Sequence, residues 1–230
     1  MTTRATLFFV AVTLLGGCKN RNELPKFASA VQPAGTANSE RPSVSATPAL
    51  SVITAPAHYD DPPAANVGLT VEQAYAAIPH RRTIWAESES TIPSADKAYL
   101  KVMFQVVDQA IAVRVAGLQG FSSQQFDSIN VDASFDRLIT FARAMAVPTA
   151  LAAYHNDILQ ALSSERQFFA EWKSRRDGFP SAQEIANHPG VRAASSASRA
   201  AYNELISKYP AENQGNKEAF FDYHCALDFL

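Results

Sequence analysis

Residues 94–118 read SADKAYLKVMFQVVDQAIAVRVAGL, and this stretch decides the fold. Pro93 and Ser94 open it, and Gly117 and Gly120 are the expected stop. No other Gly or Pro interrupts it. At about 100° per residue, apolar side chains cover well over half its circumference. So wide an apolar face belongs to a helix contacted from several sides. Lys97, Lys101, Gln105 and Asp108 share the expected wet side. Arg114 falls on the apolar side, near the direction of Met103, Val107 and Ala110. An ionised guanidinium there needs a route to water or a partner. A structural ion pair and an anion-binding arginine in a pocket are the two readings.

Around this helix every signal from Leu69 onward is helical. Only five glycines occur there, and all sit near expected helix ends or in linkers, which suits an all-α, bundle-like domain of five to six helices. Thr70 with Gln73 can form a capping box for a first helix reaching about Ile78, where Pro79 stops it. A third helix is expected from Asp132 or Ser134. Pro148 then kinks a long helix or opens a new one. The run from Thr149 to Arg176 carries the stripe Leu151, His155, Ile158, Leu162 and Phe169. Ser181 and Glu184 form a second possible capping box. Pro189 opens a helix to about Tyr209, with an Ala- and Ser-rich stretch (Ala193 to Ala201) that allows another helix to come close. Asn213 or Asn216 caps a last helix reaching Phe229.

Upstream the character changes. Residues 19–68 hold seven of the thirteen prolines and few large apolar residues. Such composition cannot bury enough surface to offset its ordering entropy, so a disordered tether is expected, spanning roughly 40 Å. His58, Tyr59, Asp60 and Asp61 read as part of that tether, with a docking motif or weak metal site as the alternative. Before it, Met1 to Arg4 carries one positive charge, Ala5 to Leu15 is an apolar run too short to cross a bilayer, and Leu15-Gly16-Gly17-Cys18 follows. These last four residues resemble the lipobox of bacterial lipoproteins. The resemblance implies a signal peptide over 1–17, a diacylglycerol thioether on Cys18, a further acyl chain such as palmitate, and anchorage in the cell envelope. An ordinary secretory signal with a chance cysteine is the alternative. Lys19 follows the cysteine, not an Asp, which in a Gram-negative host implies the outer membrane, facing the periplasm. The expected division is thus 1–17 signal peptide, 18–68 lipidated cysteine and tether, 69–230 helical domain.

The net charge of −2 leaves no basic excess for nucleic acid, and two cysteines are too few for a disulfide framework. Cys225 reads as a buried, inert thiol. His80, Arg81 and Arg82 make a basic cluster between two helices. With Arg114 they are the candidate contacts for a small anionic ligand or an envelope protein. The same cluster could instead neutralise Glu87, Glu89 or the end of the first helix. His155, His224 and Asp228 are the candidate metal ligands. His224 and Asp228 are four apart, so the carboxylate could accept the imidazole N–H. His224 with Met103 or Met145 could hold non-covalent haem. There is no CxxCH, HExxH, GxSxG or phosphate-cradling loop. The reading is therefore a ligand- or protein-binding domain without a cofactor, then a haem- or metal-binding bundle, and last an envelope hydrolase or transferase using His224 and Asp228.

Overall fold

The computed structural model describes residues 58–123, 125–175 and 180–228, and among these described residues it has seven α-helices. They are α1 (Val71–Ala76), α2 (Ser94–Ser122), α3 (Val131–Ala144), α4 (Ala152–Arg175), α5 (Ala182–Asn187), α6 (Pro189–Lys208) and α7 (Gln214–Leu227). No strand occurs among the described residues, so the fold is all-α. The lipobox, residues 19–57 of the expected tether and Phe229 lie outside the described residues. No described helix is long and apolar enough to cross a membrane.

The local punctuation works as its chemistry dictates. Thr70 and Gln73 form the reciprocal capping box of α1, and Ser181 and Glu184 that of α5. Pro189 holds the first position of α6, and the Asn213 side chain accepts from the Asn216 N–H to start α7. Pro148 opens a short 3₁₀ turn that leads into α4.

Helix α2 is the hub. It packs against α1, α3, α4 and α7, and α4 in turn forms the most extensive helix pair with α6. The small residues Ala194, Ser195, Ala197, Ser198 and Ala201 of α6 are buried. Two aromatic clusters brace the ends of α2. Trp85, Phe104, Phe220 and Tyr223 meet near its first half, and Phe121, Phe126, Phe135 and Phe169 near its last turn.

In two places the structure departs from the sequence reading. Helix α2 does not stop at Gly117 or Gly120 but runs through both to Ser122. Each glycine costs the helix about 1 kcal/mol relative to alanine. Close approach explains them: a Cβ on Gly117 would lie 2.6 Å from the Phe169 ring, and one on Gly120 would lie 2.7 Å from Ile129. Residues 58–68, expected as tether, are packed. Ala65 and Val67 are buried, the Ala65 N–H donates to Gln109, and Ser134 and Arg137 donate to the Ala65 carbonyl. Tyr59 donates to the Ala146 carbonyl and meets Tyr99 edge to face. The folded part therefore begins before Leu69.

Candidate functional site

The loop from Pro79 to Ile84 carries the predicted basic cluster, and the structure splits that cluster into inward and outward residues. Arg82 reaches inward. Its Nη2 donates to Asp108 Oδ2 at 2.6 Å, its Nη1 lies 3.4 Å from Glu72 Oε1, and the guanidinium lies over the Tyr75 ring. Tyr75 donates its hydroxyl to the other oxygen of Asp108. Asp108, expected on the wet side of α2, is therefore buried. Burial pushes its carboxyl up, against the pull of Arg82 and the Tyr75 hydroxyl. Thr83 donates to Asp222 at 2.5 Å. Trp85 packs against both Phe104 and Phe220, which also meet each other.

His80 also turns in, its Nδ1 3.6 Å from Cys225 Sγ. Burial, then the nearby charge of Arg114, hold the His80 pKa down, while Asp222 and Asp228 pull it the other way. Pro79, Arg81 and Ile84 are exposed, and Ile84 is 70% exposed.

Arg114 lies deeper. It is buried on α2 and donates to the carbonyls of Ala226 and Asp228, at the end of α7. These are terminal carbonyls that a helix leaves without intrahelical partners, so the guanidinium acts as a cap from a neighbouring helix. Glu165 of α4 and Asp228 both stabilise its charge, although burial draws its pKa down. Glu165 is fully buried, and neither of its oxygens has a hydrogen-bond partner among the described residues. Burial raises its pKa to about 8 despite the attraction of Arg114, and Asp228 adds to the rise. Asp228 accepts from Arg199 of α6 at 3.1 Å. The result is a buried polar seam where α2, α4, α6 and α7 converge.

The predicted anion site is thus not assembled. Arg114 caps a helix, Arg82 is paired with carboxylates, burial disfavours the charged form of His80, and Arg81 faces solvent alone. The predicted metal ligands do not converge either. His155 Nδ1 is bonded to the Tyr99 hydroxyl at 2.8 Å, and burial holds its pKa down. His224 Nδ1 bonds the Phe220 carbonyl at 2.5 Å, not Asp228, so the i to i+4 pair does not form. A carbonyl accepts only, which fixes the proton on Nδ1. Burial takes the His224 pKa down to about 4, and its Nε2 has no hydrogen-bond partner among the described residues. Tyr154 and Tyr202 approach the imidazole of His224. No group of three or more His, Cys, Asp or Glu side chains able to hold a metal occurs among the described residues. Met103 is fully buried. Cys225 enters as half of a disulfide, not as the expected thiol, and its partner lies outside the described residues.

Sequence reasoning missed Glu165. Its signal was there: it sits three residues after Leu162 and seven after Ile158, within the stripe of α4. It also missed Glu212. Burial pushes that carboxyl up, but hydrogen bonds from Ser90, Asn213, Asn216 and Thr91 outweigh it and hold the pKa down. Glu212 ties the segment before α2 to the turn before α7.

The fold and seam define a helical domain with a buried, mostly paired polar interior and a pinned outer loop. Compared with family models, curated proteins and solved structures, the chain finds no match.

Proposed function

We propose that this chain is a lipid-anchored protein of the bacterial cell envelope, held in the membrane through Cys18, and that its helical domain is a protein-binding module. The lipobox-like Leu15-Gly16-Gly17-Cys18 and the charged and apolar segments before it support the anchor. Lys19 favours the outer membrane, facing the periplasm, in a Gram-negative host. The observation that carries the binding reading is the loop from Pro79 to Ile84. Asp108, Asp222 and the contact with Cys225 pin it from three sides, and it holds Arg81 and Ile84 out to solvent. A loop already ordered before binding loses little entropy when a partner docks. An apolar side chain beside an arginine suits a partner surface with an apolar pocket and an acidic rim.

The test is a photoreactive residue at position 84 in the full-length chain in native membranes. The proposal expects one discrete cross-linked envelope protein, lost on Arg81→Glu and kept on Lys208→Glu, an exposed position in the last turn of α6. Labelling from position 84 that is as diffuse as labelling from a control position on α6 contradicts it.

A further inference from the structure

Glu165 is enclosed in the seam, and its carboxyl takes no hydrogen bond from the described residues. The cation that acts on it, Arg114, is bonded elsewhere: to the Ala226 carbonyl and, at 3.3 Å, to the Asp228 carbonyl at the end of α7. One buried guanidinium thus serves two acceptors, helix-end carbonyls through hydrogen bonds and a carboxyl through its charge. A neutral carboxyl competes weakly for it. An ionised one, shielded from water, attracts it more strongly than carbonyl dipoles do, and is costly to leave without a donor.

We propose that Arg114 and Glu165 form a proton-operated latch on the end of α7. While Glu165 holds its proton, the guanidinium caps α7. When the proton leaves to solvent, the guanidinium turns to the carboxylate and the last turn of α7 loosens. The charged groups acting on Glu165 are Arg114 of α2, which favours ionisation, and Asp228, which opposes it and accepts from Arg199 of α6. Arg114 also lies in the field of Tyr75 of α1 and of His80. The same helix carries Asp222 and Cys225, which meet Thr83 and His80 of the outer loop, so the latch reaches that loop. This last consequence rests on the docking reading; the latch itself does not.

The capped arrangement holds the proton up to about pH 8, and the uncapped one, with the guanidinium on the carboxylate, releases it sooner. Uncapping therefore grows as pH rises towards 8 and levels off above it. The experiment is amide hydrogen exchange of the full chain in detergent from pH 6 to 9, corrected for the intrinsic base catalysis of exchange. No partner is needed, so its failure is separate from failure of the cross-linking. Protection of Leu227 and Asp228 should be lower than that of the centre of α2, and should fall by up to about tenfold per pH unit towards pH 8. Glu165→Gln should make that protection independent of pH, and so should Glu165→Leu, which cannot ionise either. Three results overturn the latch: protection of Leu227 and Asp228 that does not change with pH in the wild-type chain, the same pH dependence in both variants, or exchange at these amides no faster than at the centre of α2, which would leave only global unfolding.

Discussion

Arg114 of α2 donates to the carbonyl of Ala226 in the last turn of α7, so the central helix caps a helix far from it in sequence. The residue that looked most like a ligand-binding arginine holds two helices together. Arg114→Met keeps the stem and removes the charge. It leaves terminal carbonyls of α7 without this donor and Glu165 without its compensating cation. The variant should lose about 3–5 kcal/mol in urea unfolding, the usual cost of breaking a buried charged group from its partners. A loss below about 1 kcal/mol would return Arg114 to the list of ligand contacts.

Glu165 gives a pH signature. Its folded pKa of about 8 is raised above its ordinary value of 4.5, so the folded state binds the proton more tightly. Stability is therefore present in full below about 4.5 and is lost as pH rises towards 8, on the order of 1.4 kcal/mol per pH unit. Buried Asp108 acts in the same sense. Glu165→Gln removes the titration, so the difference in unfolding free energy between variant and wild type should grow in the variant's favour from pH 6.5 to 8. A constant difference would show that Glu165 is not neutral in the folded protein.

His224 works in the opposite direction. Its folded pKa of about 4 is depressed below its ordinary 6.5, so the unfolded chain binds the proton first. Stability is lost as pH falls from 6.5 to 4, and His80 and His155, also held down by burial, add to the loss. His224→Asn retains a donor near the position of Nδ1 and cannot titrate. Its acid unfolding curve should be shallower than that of the wild type across this window, whatever constant cost the smaller side chain adds. An identical slope contradicts a buried neutral imidazole.

Gly117 is a packing glycine. Alanine would gain about 1 kcal/mol of helix propensity, but its Cβ would meet the fully buried Phe169 ring at 2.6 Å. Overpacking of this kind costs about 1–3 kcal/mol, so Gly117→Ala should be destabilised in urea, and shortening the ring with Phe169→Leu should remove most of the clash in the double variant. A more stable Gly117→Ala would mean that α2 and α4 are further apart than the structure has them.

Arg82 holds the outer loop. Arg82→Ala leaves Asp108 buried beside the Tyr75 hydroxyl of α1 without its cation, and should cost about 1–3 kcal/mol given the partial exposure of the arginine. The loss should be local first: amide hydrogen exchange should speed up from Arg81 to Trp85 well before it does in α4 or α6. Uniform acceleration through the whole domain contradicts a separately pinned loop.

What the sequence made legible was local. Thr70 with Gln73, Ser181 with Glu184, Pro189 and Asn213 mark helix starts through contacts that lie within three residues, so their meaning survives without the fold. Gly117 and Gly120 were misread because a glycine that ends a helix and one that admits a neighbour look alike until Phe169 and Ile129 are in place. Residues 58–68 looked too poor in apolar area to fold. Their backbone instead takes partners from Gln109, Ser134 and Arg137, all distant in sequence. Arg114 was recognisable as out of place, yet nothing in its own helix reveals that its acceptors are the last carbonyls of α7.

The measurement that tests the account most directly is the intact mass of the mature protein taken from bacterial membranes. The account predicts a chain that begins at Cys18 and carries the mass of a diacylglyceryl group and an added acyl chain. A mature chain that keeps residues 1–17, or a Cys18 with no added mass, would contradict the anchor.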